Sequence, residues 1–110
     1  MSASDILARV ADTIEARKQA PSSESYVSSL MHKGQDAILK KVAEEAAETL
    51  LASKEGDTLH VVREAADLWF HTLVLLAWHG LRPEDVLQEL ERREGVSGIA
   101  EKNARGTGKK

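Results

Sequence analysis

The chain has 110 residues, no cysteine and a formal net charge of -3. This length suits one domain with a single core, and the absence of cysteine excludes disulfides, thiolate nucleophiles and cysteine-ligated zinc. A protein that coats nucleic acid needs a basic surface to displace phosphate counterions, so the acidic balance argues against nucleic acid as a partner.

Two helices are predicted in the first third of the chain. The first has one apolar stripe at helical spacing, formed by Ile6, Leu7, Val10 and Ile14. Residues 19–25 contain one proline and three serines and are predicted to be a linker, because these residues favour turns. Ser25 is the predicted cap of a short helix from Tyr26 to His32, and Gly34 ends it because glycine readily adopts the left-handed conformation found just past many helices.

Two longer helices follow. The first is predicted from Asp36 to Ser53, with Gly56-Asp57 as the break, and the second from Thr58 to His79. The second helix is apolar on nearly all sides and therefore needs partners on several sides. Its longest apolar run, Leu68 to Trp78, is about half of the roughly 20 residues that cross a bilayer, so we expect a core helix and no membrane association.

The chain ends in a further helix and a tail. Pro83 suits the first turn of a helix that reaches Arg93. We expect residues 1–95 to form the domain and residues 96–110 to form a basic, partly mobile tail. No stretch alternates with period two, so the predicted fold is all-α, a bundle of four to five helices. The chain begins without an export signal, which predicts a cytoplasmic location.

Two acidic couplets are the main functional signal. They are Glu45-Ala-Ala-Glu48 and Glu64-Ala-Ala-Asp67, one on each of the two long helices. Side chains three apart share a helix face, so two packed helices would bring four carboxylates together. Such a group needs a cation, and hard oxygen ligands suit Mg²⁺, with Mn²⁺ as a substitute. The pattern predicts a metal-dependent enzyme that acts on phosphates.

The second couplet carries more weight than the first. About three acidic pairs at this spacing are expected by chance in a chain of this composition, so a lone couplet usually marks solvated surface. Glu64 and Asp67 instead lie in the apolar helix, where burial would desolvate them. They continue a polar stripe between His60 and His71, and His71 either orients a carboxylate or is a hydrogen-bonded core histidine.

Basic and aromatic residues near the couplets each have two interpretations. Lys41 lies one turn before Glu45 and forms either an ordinary ion pair or a phosphate contact. Lys33 is either a solvated side chain or a second phosphate contact. Trp69 and Trp78 are predicted to lie in the core or at a subunit interface, because their helix needs cover on several sides.

The ordered set of motifs resembles the phosphoribosyl-ATP pyrophosphatase family, within the all-α nucleotide pyrophosphatases. The resemblance runs from about residue 4 to residue 105. It rests on the following segments: Ser25-Tyr26, Lys33-Gly34, Ile38-Leu39-Lys40-Lys41-Val42-Ala43-Glu44-Glu45-Ala46-Ala47-Glu48, Glu64-Ala65-Ala66-Asp67-Leu68 and Gly95-Val96-Ser97-Gly98-Ile99. Ala43 stands where the family usually has glycine, a small-for-small change.

The resemblance implies a reaction and a site. The reaction is hydrolysis of phosphoribosyl-ATP to phosphoribosyl-AMP and pyrophosphate, the second step of histidine biosynthesis. The E-x-x-E and E-x-x-D constellation would place Glu45, Glu48, Glu64 and Asp67 as catalytic residues and Mg²⁺ ligands. Lys33 and Lys41 would bind substrate phosphates, and Glu45 or Glu48 would accept the proton of the attacking water.

The resemblance also implies an assembly, and other functions remain as alternatives. Family members form dimers of intertwined helical subunits, so we expect a homodimer or a higher homo-oligomer. A house-cleaning nucleoside triphosphate pyrophosphatase would use the same carboxylates, although Ser25-Tyr26 and the segment 95–98 resemble the histidine-pathway branch. A di-iron bundle would need Glu-x-x-His pairs, which the sequence lacks. A non-enzymatic helical adaptor would bind no divalent cation at the stripe.

Overall fold

The computed structural model describes residues 5–96 and 98–108, and these residues form six α-helices and no strand. The helices are α1 (Asp5–Arg17), α2 (Tyr26–Lys33), α3 (Gln35–Glu55), α4 (Thr58–Trp78), α5 (Pro83–Arg93) and α6 (Gly98–Gly108). The first five lie close to the predicted bounds. The all-α prediction is therefore confirmed.

Helix α6 corrects the predicted number of helices, which was four to five. It covers residues 98–108, which were predicted to belong to a tail. Its lysine, alanine and arginine residues favour a helix. The sequence of α6 has no apolar stripe that would predict the helix, and Ile99 is 77% exposed. Residues 97, 109 and 110 lie outside the described residues, and the mobility of the tail stays a prediction.

The helix ends follow local chemistry. The Ser25 hydroxyl oxygen accepts a hydrogen bond from the backbone N–H of Ser28 at 3.2 Å, which caps α2. Gly56 ends α3 in the left-handed conformation, with φ of 80°. Asp57 then caps α4, because its Oδ1 accepts from the backbone N–H of His60 at 3.2 Å. These short-range contacts explain why the sequence predicted the breaks correctly.

The core forms where four helices meet. Its buried residues are Ile14 of α1, Val27 and Leu30 of α2, Ile38 of α3, and Val74 and Ala77 of α4. Helices α3 and α4 pack along each other as a helical hairpin, because only Gly56 and Asp57 connect them. Burying each large aliphatic side chain contributes roughly 1.5 to 3 kcal/mol. The core therefore fixes the two helices that carry the acidic couplets.

Polar contacts tie the end of α1 to this hairpin and α1 to the start of α5. The ammonium of Lys18, one residue after α1, donates to the backbone carbonyl of Ala77, near the end of α4, at 2.9 Å. Asp12 of α1 pairs with Arg82, just before α5, at 3.0 Å. Within the described ranges, every helix is too short or too polar to cross a lipid bilayer.

Candidate active site

Three carboxylates from the two couplets meet between α3 and α4. They belong to Glu45 and Glu48 of α3 and Glu64 of α4, and one oxygen from each lies within 4.8 Å of the others. The Glu45 residue is buried, with 6% of its surface exposed. The side chain of Glu64 is 15% exposed, whereas Glu48 faces solvent. The helix periodicity that places residues 45 and 48 on one face thus directs both toward the neighbouring helix.

Two oxygens of this cluster are buried without a hydrogen-bond donor. Among the described residues, neither Glu45 Oε1 nor Glu64 Oε1 has a partner. A buried carboxylate oxygen left in this state is costly, because it loses its water and gains nothing in return. The donor set is purely carboxylate oxygen, which is the chemistry that Mg²⁺ and Mn²⁺ prefer. The residues present therefore fit a hard divalent cation.

Like charges in the cluster affect proton binding. The Glu64 carboxylate raises the pKa of Glu48, because it can accept a hydrogen bond from Glu48 only when Glu48 is protonated and because its negative charge disfavours the ionised form. Two carboxylates this close cannot both remain ionised without cost, so the cluster favours either a shared proton or a cation.

Each of the two buried carboxylates is held by a donor one turn earlier on its own helix. The Lys41 ammonium lies 3.5 Å from Glu45 Oε2 and 3.6 Å from Glu44 Oε1. On α4, His60 Nε2 lies 3.0 Å from Glu64 Oε2, and this bond raises the pKa of His60. The ordinary ion pair considered for Lys41 is therefore present, and its phosphate contact stays a prediction.

The remaining predicted site residues lie outside the group of three. Asp67 is exposed on α4, one turn beyond Glu64, and its carboxylate is not part of the three-residue group. Lys33 is exposed at the end of α2. The structure therefore brings together three of the four predicted carboxylates with Lys41, and the roles of Asp67 and Lys33 stay predictions.

His71 is a hydrogen-bonded core histidine, the second of its two interpretations. Its Nδ1 lies 2.7 Å from the backbone carbonyl oxygen of Asp67, which can only accept, so Nδ1 carries a proton. In the neutral ring Nε2 then accepts from the Tyr26 hydroxyl at 2.7 Å. Burial, more than any nearby charge, raises the pKa of Tyr26. This chain of bonds joins the start of α2 to the helix that carries Glu64.

The sequence did not predict the contact between His60 and Glu64. The sequence placed both residues on one polar stripe but assigned no role to His60. A signal was present, because residues four apart on a helix are close enough to bond. Spacing alone, however, does not distinguish such a bond from two separately solvated side chains.

Comparisons with known proteins agree on one family. A family model described as phosphoribosyl-ATP pyrophosphohydrolase matches residues 7–94. A protein of Chromobacterium violaceum named phosphoribosyl-ATP pyrophosphatase is 69% identical over 101 residues, which cover 92% of this chain and 94% of the relative. A protein of the same name from Nitrosospira multiformis is 68% identical over 108 residues, covering 98% of this chain and 89% of the relative.

A third relative extends the same pattern. The phosphoribosyl-ATP pyrophosphatase of Aromatoleum aromaticum is 62% identical over 101 residues, covering 92% of this chain and 94% of the relative. The family match includes both long helices and therefore every residue of the acidic cluster.

Proposed function

The chain belongs to the phosphoribosyl-ATP pyrophosphohydrolase family, and on this basis we propose that it hydrolyses phosphoribosyl-ATP to phosphoribosyl-AMP and pyrophosphate, the second step of histidine biosynthesis. One structural observation supports the proposal most strongly. Glu45, Glu48 and Glu64 meet at one point, and two of their oxygens are buried with no donor from the residues that the structure describes. Such a cluster suits a cation that carries a polyphosphate substrate.

Mg²⁺ is the proposed cofactor, with Mn²⁺ as a substitute. Glu45, Glu48 and Glu64 would hold it, and Asp67 would complete the set by a change of side-chain rotamer from its exposed position. When bound, the cation would offset the negative charge of the polyphosphate and favour in-line displacement. Lys41 and Lys33 would contact phosphate oxygens as positive point charges.

The reaction needs one proton acceptor. The oxygen of a water forms a bond to the α-phosphorus, the bond from that phosphorus to the bridging oxygen breaks, and pyrophosphate leaves. We assign proton acceptance to Glu48, because it is the solvent-facing member of the cluster, whereas Glu45 is buried and paired with Lys41. The burial of Glu45 supports a role in holding the cation.

A homodimer is the proposed assembly. Large apolar side chains of α3 and α4 remain exposed. They include Leu50, Leu51, Leu59, Val62 and Trp69. Exposed large apolar side chains are typical of an interface, and a second copy of the chain would cover them symmetrically. We further propose a cytoplasmic location, since a chain without cysteine fits a reducing compartment.

The test is release of pyrophosphate from phosphoribosyl-ATP, compared with ATP and dUTP, with and without Mg²⁺. We expect turnover of phosphoribosyl-ATP that requires Mg²⁺ and is lost in Glu64→Gln, which keeps the shape but removes the charge. Glu91→Gln is the matched control, because Glu91 is exposed on α5, away from the cluster. Turnover of dUTP but not of phosphoribosyl-ATP would contradict the proposed substrate, and equal activity of Glu64→Gln would contradict the proposed site.

A further inference from the structure

The two oxygens of Glu64 have different environments. Glu64 Oε2 lies 3.0 Å from His60 Nε2, and because a carboxylate oxygen can only accept, the ring nitrogen donates. Glu64 Oε1 is buried and has no donor among the described residues. The imidazole therefore occupies one oxygen and leaves the other one free.

Glu45 repeats this arrangement on the facing helix. Lys41 lies one turn before it and contacts Oε2 at 3.5 Å, while Oε1 is again buried with no donor in the described part of the chain. Each helix thus supplies a donor at position i and a carboxylate at position i+4. The two free oxygens belong to the residues that converge with Glu48.

His60 is itself held in place at its backbone and at both nitrogens of its ring. Its backbone N–H donates to the capping carboxylate of Asp57 at 3.2 Å. Its Nδ1 lies 3.4 Å from Oε1 of Glu55, near the end of α3, and its Nε2 contacts Glu64. A ring restrained in this way can fix the orientation of a neighbouring carboxylate, whereas a freely rotating side chain cannot.

We propose that His60 is a positioning residue, which holds the Glu64 carboxylate so that Oε1 alone is offered to a divalent cation. The proposal rests on the cation site proposed above. Without a donor on Oε2, the carboxylate can rotate about its terminal torsion, which is broad and has no strong preference. The oxygen that faces Glu45 and Glu48 then loses its fixed direction. Partners that orient a metal ligand typically change metal affinity by about 10- to 100-fold when they are removed.

The test measures binding of Mn²⁺ alone, from the electron paramagnetic resonance signal of the free ion. Two variants test whether the position of the hydrogen-bond donor matters. His60→Gln keeps a donor at a similar distance from Glu64, whereas His60→Asn carries the same amide on a shorter side chain. We expect His60→Asn to bind Mn²⁺ about tenfold or more weakly. We expect His60→Gln to stay close to wild type.

A second histidine provides the control. His79 is exposed just past the end of α4, and its ring contacts Gln35 at 3.3 Å instead of the acidic cluster. We expect His79→Asn to bind Mn²⁺ like wild type. Circular dichroism and thermal unfolding of all three variants verify that the helices remain folded, so that weaker binding reports orientation of Glu64.

Two outcomes would overturn the inference, and they differ in what else they affect. If folded His60→Asn binds Mn²⁺ as tightly as wild type, His60 does not position Glu64, while the cation site itself stands. If the wild-type protein binds no Mn²⁺, both the inference and the proposed cation site are wrong. Release of pyrophosphate from phosphoribosyl-ATP then shows separately whether the proposed reaction survives.

Discussion

Glu45, Glu48 and Glu64 carry the same carboxyl group in three environments. Glu45 is buried and held by Lys41, Glu64 is mostly buried and held by His60, and Glu48 faces solvent. The buried oxygens suit a cation, because they lack any other partner among the described residues. The solvent-facing carboxylate suits proton exchange with water. Environment, more than residue type, therefore separates the proposed roles.

The substitution Glu48→Gln should have opposite effects on activity and stability. Removing the proposed base should lower the rate of pyrophosphate release on the order of 100-fold. The hydrogen bond between Glu48 and Glu64 and the negative charge of Glu64 raise the pKa of Glu48, which means that they disfavour its ionised form. In the absence of divalent cation the variant should melt at a higher temperature, because the amide carries no charge. Enzyme assays and calorimetry in chelator measure the two effects.

The control for this prediction is Glu44→Gln on the same helix. Glu44 is exposed and lies outside the three-carboxylate group. Glu44→Gln should therefore release pyrophosphate at a rate close to that of wild type. Full activity of Glu48→Gln would show that another group accepts the proton.

The bond between Tyr26 and His71 should contribute to stability. In Tyr26→Phe the buried Nε2 of His71 loses its donor, which should lower the free energy of unfolding by about 1 to 3 kcal/mol. Urea unfolding of Tyr26→Phe, His71→Phe and the double variant forms a double-mutant cycle. We expect a clear coupling energy, and strict additivity of the two single effects would contradict the bond.

At the scale of elements, the turn between α3 and α4 depends on one backbone conformation. Gly56 has φ of 80°, and a Cβ added at this position would meet no atom within 4 Å. Gly56→Ala should therefore cost about 1 to 2 kcal/mol through backbone strain alone. Because this turn sets the register of the helices that carry the cluster, weaker Mn²⁺ binding should accompany the loss of stability.

Gly98→Ala is the matched control for the turn. Gly98 also has open space around a Cβ, but its φ is not positive. Alanine favours helix, so this variant should be neutral or slightly stabilising in urea unfolding. Equal destabilisation by both substitutions would contradict the strain argument.

The end of α5 should respond to acid. Hydrogen bonds from Arg92 and Arg93 lower the pKa of Glu89 to about 2. A carboxyl group with a lowered pKa in the folded state stabilises the protein above its ordinary pKa, and this stabilisation is lost as the pH falls toward about 2. Glu89→Gln should thus have a lower free energy of unfolding than wild type near neutral pH. In strong acid the two free energies should become equal.

Urea unfolding at several pH values measures this convergence. The difference should be small even near neutrality, because the side chains of Glu89 and Arg92 are solvent-exposed. A difference between the two proteins that is independent of pH would show that the ion pairs do not cause it.

At the scale of the whole molecule, the exposed apolar side chains of α3 and α4 are the proposed dimer interface. Trp69 is 63% exposed in the isolated chain, although it lies on the most apolar helix. Trp69→Glu should convert the proposed dimer to a monomer, because it places a charge in a desolvated interface. Light scattering coupled to size-exclusion chromatography measures the mass of each species.

Trp69→Phe serves as the control at the same position. It keeps an aromatic apolar side chain and should remain dimeric at moderate protein concentration. A wild-type protein that is monomeric throughout, or a dimer that Trp69→Glu leaves intact, would contradict the proposed interface.

The sequence by itself determined the helices and most of the candidate ligands. Apolar periodicity and the capping residues Ser25, Gly34, Gly56 and Pro83 are local signals, so they predicted five helices with nearly correct bounds. The spacing of three within each couplet likewise predicted which carboxylates share a face. Apolar periodicity did not predict α6, because this helix has good helix formers but no apolar stripe.

Only the tertiary structure decided which groups meet and which oxygens remain free. Ile38 of α3 and Val74 of α4 are distant in sequence but belong to the same buried core, and packing in this core sets how α3 lies on α4. It brings Glu64 to Glu45 and Glu48 while leaving Asp67 exposed one turn away. Side-chain spacing is a property of one helix, whereas convergence and burial depend on the crossing of two helices, which no local pattern specifies.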